Sequence, residues 1–235
     1  MLRFNPSTLS TAFGQQLLDG SAHIRPRFES ELLPLIYSRL LDPTLQRANS
    51  GSICIGSALS LVLATHKKTP KLIAEVGTYI GNSAAAMGFG AGLSGQAVQL
   101  ITCDMHPCTQ QPFAGLKLPE GSKAQVVQGS STQMFEFLVS KGAQLDMLHL
   151  DGRLMKDDLP LLGKLLKPDS LIALDDCEGD EKGHMNLDLL RRAGLIKKHA
   201  FVEPFSKELF RRWGLETRSV TGFLLPQVSI SFTRQ

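Results

Sequence analysis

The stretch Lys71–Ala86, KLIAEVGTYIGNSAAA, decides the fold. Its first half is an apolar run of strand type, which breaks at Gly77. A tight turn follows, and Gly81-Asn82-Ser83 opens an alanine-rich helix. Glycines at 77 and 81 let the backbone take up torsions closed to other residues and approach a ligand closely. The free N–H groups at the start of the helix suit a carboxylate or a phosphate. The glycines are spaced Gly-x-x-x-Gly, whereas dinucleotide-binding turns use Gly-x-Gly-x-x-Gly, so an NAD(P)-dependent oxidoreductase is the weaker reading.

Further strand-type runs appear at Val98–Cys103, Ala124–Gln128, Met147–Leu150 and Leu171–Leu174. Helix-type segments at Ser83–Leu93, Thr132–Ser140 and Asp157–Leu166 lie between them. Strands alternating with helices make right-handed βαβ units and a parallel sheet. Ligands bind such sheets at the carboxyl ends of the strands. Asp104 directly follows the second run, where a carboxylate can accept hydrogen bonds from both hydroxyls of a ribose. Gly129-Ser130-Ser131-Thr132 follows the third, where an adenine would lie. At the tail, Val220–Leu225 and Val228–Phe232 are joined by a link so short that they can only pair antiparallel. The expected architecture is α/β: a Rossmann-like, doubly wound sheet of mostly parallel strands, closed by a C-terminal antiparallel hairpin. Before it, Phe28, Leu32, Leu33, Ile36, Leu40 and Leu41 recur at helical spacing, from near Pro26 to Asp42-Pro43. A second helix is expected over Ser57–His66. Residues 1–56 read as a helical cap on a domain spanning 57–235.

Composition excludes several classes. The net charge is only +3 and aromatic residues make up 6%, with no basic run interleaved among them, so nucleic acid is not an expected partner. The longest apolar stretch, Ile53–Thr65, is too short to span a bilayer, and MLRFNPSTLS lacks the apolar core of a signal peptide. Cys54, Cys103, Cys108 and Cys177 have no framework spacing and read as reduced thiols of a cytoplasmic protein. Cys103, His106 and Cys108 offer zinc three ligands but no fourth.

The fourth strand runs into Asp151-Gly152 and the fifth into Asp175-Asp176. If the two are adjacent and parallel, three carboxylates project from one sheet edge. Mutual repulsion raises their pKa values, and a divalent cation such as Mg²⁺ or Mn²⁺ would relieve it. The surrounding charge agrees: residues 146–181 hold ten of the 22 acids against four basic residues. Asp151, Asp175 and Asp176 are therefore the expected metal ligands.

EVGTYIGNSA, with ITCD, VVQGSS, LHLDGR, LIALDD and the closing GFLLPQVSISFTRQ, resembles the small-molecule O-methyltransferases that include the catechol and caffeoyl-CoA O-methyltransferases. The resemblance covers roughly Ser57–Gln235 and is poor over Cys177–Thr217. It implies S-adenosylmethionine as cofactor, a hydroxylated small molecule as acceptor and a divalent metal at the strand ends. It also implies that Glu75, Gly77, Thr78, Tyr79, Gly81 and Ser83 surround the methionine moiety. Asp104 would then bind the ribose, Ser131 would lie near the adenine, and Asp151 would touch both cofactor and chemistry. One departure matters for catalysis. The catechol-type enzymes carry a lysine three residues after the first metal aspartate, where this chain has Leu154. Related sugar and macrolide enzymes carry an acid two residues after it, where this chain has Arg153. Lys156, the catalytic candidate nearest in sequence, Lys182 and His184 are each able to reach back as a base, though each reads more simply as a surface residue. The missing lysine also leaves open a non-catalytic binding subunit with the same fold. Substrate contacts are expected from the N-terminal helices, which make a homodimer plausible. They are also expected from Lys182–Arg212, with eight basic residues against three acids and the aromatics Phe201, Phe205 and Phe210.

Overall fold

The computed structural model describes residues 8–45, 51–106, 111–177, 182–197, 199–215 and 217–226. The chain opens with helix α1 (Thr8–Arg27), a π-helical turn over Phe28–Leu32, and helix α2 (Leu33–Leu41). The helical reading of this part of the chain holds, and helix already precedes Pro26, near which the apolar run begins. Proline removes one N–H and crowds the carbonyl four residues back, which disfavours regular α-helix around it. The wider π turn follows directly, with the Ser30 hydroxyl donating to the Pro26 carbonyl at 2.9 Å. Phe28, Leu32 and Ile36 form the buried stripe of this segment.

Helix α3 (Ile55–Lys68) is buried from Ile55 through Thr65, as a helix apolar on every side must be. It packs on α4 (Asn82–Leu93), the alanine-rich helix that follows strand β1 (Leu72–Val76). The remaining elements are β2 (Gln99–Asp104), β3 (Lys123–Gln128), α5 (Ser131–Ser140), β4 (Leu145–Leu150), α6 (Asp158–Leu165), β5 (Leu166–Leu174), α7 (Lys182–Arg192), β6 (His199–Val202), α8 (Lys207–Arg212) and β7 (Gly222–Pro226).

The strands form one sheet in the order β3-β2-β1-β4-β5-β7-β6. The first five are parallel, and β7 runs antiparallel to both β5 and β6. The expected mixed sheet is thus present, and the outer neighbour of β7 is β6, inside the segment read as a substrate-binding insert. The run Val228–Phe232 lies outside the described residues. Side chains alternate between two cores. Ile73, Leu100, Met147 and Ala173 face the layer of α1–α4, while Ala74, Val76, Leu148, Leu150 and Leu174 face α5, α6 and α7. Because β1, β4 and β5 are covered on both faces, their sequences are almost unbroken apolar runs. The strand order reverses between β1 and β4, and that is where such sheets open a crevice.

The α3–α4 contact depends on Gly90. A Cβ there would collide with the Thr65 hydroxyl and the Val62 carbonyl, one of them backbone. Gly90→Ala is expected to lower stability by about 2–3 kcal/mol, as overpacking of a well-filled core does. Gly163→Ala, whose new methyl meets only Leu195 at ordinary contact distance, should be neutral or slightly stabilising. Urea denaturation of both variants checks this.

Candidate active site

The turn after β1 takes its shape from three positive torsions, at Gly77 (φ 100°), Tyr79 (φ 44°) and Gly81 (φ 75°). A Cβ on Gly77 would lie 3.1 Å from the Gly152 nitrogen and 3.2 Å from the Asp151 carbonyl carbon, so the turn after β1 and the end of β4 touch backbone to backbone. The N–H groups of Gly77 and Thr78 donate to the Cys103 carbonyl at 3.0 and 3.2 Å. Tyr79 is held in its uncommon torsion by Asp104, whose Oδ2 accepts the Tyr79 N–H at 2.9 Å while Oδ1 accepts the His106 N–H at 2.9 Å. Each carboxylate oxygen keeps a further lone pair for a ligand hydroxyl. Gly81 begins α4 with no side chain capping its first turn. From α2, the buried Arg39 donates to the carbonyls of Gly81 (2.8 Å), Pro112 (2.7 Å) and Ala114 (3.0 Å). Burial lowers its pKa to about 10, so it stays charged at neutral pH.

Beneath the turn lies a polar chain that the sequence alone did not disclose. The Thr78 and Thr102 hydroxyls are 2.6 Å apart, Thr102 donates to Glu75 at 2.8 Å, and His149 Nδ1 lies 3.0 Å from the other Glu75 oxygen. Glu75, Thr102 and His149 are fully buried, at matching register positions of β1, β2 and β4. The Glu75 carboxylate therefore sits below the turn, with both oxygens engaged within the protein. Burial works against charge on His149, but the Glu75 carboxylate outweighs it and pushes the pKa up. Cys103 is buried, and desolvation, with Glu75 nearby, raises its thiol to about 12. A protonated thiol is a poor zinc ligand. Cys108 lies outside the described residues.

The three aspartates do converge on one cavity of about 500 Å³, walled by Tyr37 and Leu40 of α2, by the segment 51–55, and by Lys182, Arg218 and Ser219. They do not converge on one point. Lys182 Nζ lies 2.8 Å from Asp151 Oδ1 and 2.9 Å from Asp176 Oδ2, and it donates to the Asp151 carbonyl at 2.6 Å. Asp175 accepts from the Thr221 hydroxyl at 3.1 Å and makes no contact with the ammonium. Among the described residues, no three carboxylates, imidazoles or thiols come together in a way that would hold a metal ion. Burial raises the pKa of Asp151 against the opposing pull of Lys182. Burial, followed by the neighbouring Asp151 charge, pushes Asp175 up to about 7.

Other expected residues fall elsewhere. Lys156 is exposed on the turn before α6 and is not part of the cavity wall. His184 Nε2 is 2.6 Å from the Cys177 carbonyl. The Ser131 hydroxyl donates to the buried Asp158 at 2.7 Å, and Thr132 donates to its other oxygen, so these side chains fasten α5 to α6. Ser83 is buried in the first turn of α4. Of the two N-terminal helices, α2 lines the cavity, through Tyr37 and Leu40. The aromatics of the insert mostly do not: Phe205 and Phe210 are buried and pack with Trp213.

Comparison with known proteins agrees with this geometry. Residues 74–177, from β1 to just past β5, match the family described as methyltransferase domain. An O-methyltransferase from Bacillus cereus in complex with SAH superposes with a TM-score of 0.55 at 15% identity, over 83% of this chain and 90% of that one. The SAH-bound methyltransferase PaMTH1 from Podospora anserina gives 0.51 at 15% identity, over 96% and 99%. At such identities the likeness is one of fold. No curated protein sequence matches the chain. No helix among the described residues is long and apolar enough to cross a membrane.

The raised pKa of Asp175 makes stability depend on pH. An acid whose folded pKa exceeds its unfolded value, here 3.8 against about 7, destabilises the fold increasingly as pH rises through that window. Asp175→Asn removes the ionisation. The variant should match wild type near pH 4 and exceed it by a few kcal/mol near pH 8. Chemical denaturation across that range in EDTA tests this, and a gap that shrinks toward high pH would contradict it.

Proposed function

We propose that the protein transfers the methyl group of S-adenosylmethionine to a hydroxyl of a small molecule. One observation carries the reading: the uncapped glycine turn and Asp104 stand at adjacent strand ends, beside a half-open cavity edged with carboxylates. The Bacillus and Podospora proteins that share the fold hold SAH, and the name of the first supplies the hydroxyl acceptor. Gly77, Thr78, Tyr79, Gly81 and Ser83 are assigned to the methionine moiety, with Glu75 supporting them from below. Asp104 is assigned to the ribose, and the segment at Ser131 to the adenine. Residues 1–56 act as a cap over the acceptor.

Methyl transfer is an in-line displacement. The acceptor oxygen forms a bond to the methyl carbon while the carbon–sulfur bond breaks, and its electron pair neutralises the sulfonium. The acceptor's proton leaves to a cavity carboxylate, Asp151 or Asp175. Positioning supplies most of the acceleration, because the attack needs alignment rather than a strong base. A divalent ion, where bound, would acidify the hydroxyl. The aspartates as arranged do not suit one, since Lys182 engages two of them and Asp175 faces Thr221.

S-Adenosylhomocysteine at about a hundredfold over its Kd should stabilise the fold by roughly 2.7 kcal/mol. Asp104→Ala removes charge-assisted bonds and should weaken binding by about 10–100-fold with the fold intact. Thermal shift and isothermal titration read both effects. Stabilisation by NADH in place of S-adenosylhomocysteine would overturn the cofactor assignment. Labelled methyl transfer to catechols and other hydroxylated acceptors tests the reaction.

A further inference from the structure

We propose that the Lys182 ammonium is the resident cation of the acceptor cavity, standing where three strand-end aspartates would otherwise call for a divalent metal. Its role in catalysis rests on the methyl-transfer reading above; its effect on cation binding does not.

An ammonium group has three N–H donors and no acceptor. Here each has a partner: Asp151 Oδ1 at 2.8 Å, the Asp151 carbonyl at 2.6 Å and Asp176 Oδ2 at 2.9 Å. The partners come from the ends of two adjacent strands, so the ammonium bridges β4 and β5 as a metal ion would. A divalent ion would need the same oxygens and would lie against a positive charge.

The placement of Lys182 is built into its helix. Gly183 follows it, and a Cβ there would collide with the carbonyls of Asp175 and Asp176 and with Cys177 Sγ. The Gly183 N–H donates to the Asp176 carbonyl at 3.2 Å. One turn on, the buried Asn186 donates to the Gly152 carbonyl at 2.8 Å and accepts the Leu154 N–H at 3.0 Å. The first turn of α7 is thus seated on the loops after both β4 and β5, and Lys182 enters the space between them. Asp176 completes the arrangement with φ 52°, an uncommon torsion for a residue other than glycine. Lys182 accordingly acts as a positioning residue, fixing the Asp151 and Asp176 carboxylates that border the acceptor.

The test is titration of Mn²⁺ into chelator-treated protein, followed by electron paramagnetic resonance, with S-adenosylhomocysteine present. Wild type should bind no Mn²⁺ up to millimolar concentration, and its methyl transfer should be unchanged in excess EDTA. Lys182→Met leaves the carboxylates without their cation and should bind Mn²⁺ at least about tenfold more tightly than wild type. Lys182→Arg keeps a cation and should behave as wild type toward Mn²⁺. Stoichiometric micromolar binding by wild type would overturn the proposal, and so would a Lys182→Met variant that gains no affinity. If Lys182→Met fails to fold by circular dichroism, the wild-type titration decides alone. Thermal shift with S-adenosylhomocysteine on the same samples separates the two claims: its absence would sink the methyl-transfer reading and leave the Mn²⁺ outcome standing.

Discussion

Two backbone segments meet between β1 and β4 with no side chain to keep them apart. The Val76 carbonyl accepts from the N–H groups of both Asp151 (3.0 Å) and Gly152 (2.8 Å), and Gly77 lies against the same peptide. A Cβ on Gly152 would strike Val76 Cγ1 at 2.7 Å, so both sides of the contact rely on glycine. This approach sits at the point where the strand order reverses, and it fixes the distance between the glycine turn and Asp151. In the methyl-transfer reading, donor and acceptor must meet within a fraction of an ångström of a linear arrangement. Joining the two halves through main chain rather than through flexible side chains is a stiff way to set that distance.

The charge arrangement follows from the same geometry. Strands converging at one edge bring Glu75, Asp151, Asp175 and Asp176 close together in a poorly solvated region, and isolated buried carboxylates are unfavourable. Each is met by a different device. Glu75 is matched by His149 and Thr102 below the turn, Asp151 and Asp176 share Lys182, and Asp175 turns to Thr221 and carries a raised pKa. The result is a cavity wall of carboxylates whose orientations are set before any ligand arrives.

The sequence disclosed those parts of this design that are local. The β1–turn–α4 unit was legible because strand, glycines and helix follow one another within sixteen residues, and each has its own signal. Strands β1, β4 and β5 were legible because burial on both faces leaves an apolar run. Harder to read were features that depend on partners far along the chain. Strand β6 is four half-buried residues with no alternation, and it becomes a strand only because β7 offers it an edge. His149 looked like one polar residue in an apolar strand, although its register opposite Glu75 gives it a partner. Lys182 read as surface charge, since nothing local says that Gly183 lets its helix sit on two strand-end loops.

Arg39 shows why the N-terminal helices belong to the site and are not an ornament on it. Its guanidinium, 7% exposed, spends its donors on three backbone carbonyls, one in the glycine turn and two in the loop after β2. These well-aligned hydrogen bonds help to offset desolvation of the charge, and they hold only while turn and loop keep their shapes. The next residue, Leu40, and Tyr37 one turn earlier line the cavity. A single turn of α2 therefore touches the proposed cofactor turn with one side chain and the proposed acceptor space with two. In the methyl-transfer reading, any shift of that helix on filling the cavity would be felt at Gly81, a physical route between the proposed acceptor space and the proposed cofactor turn.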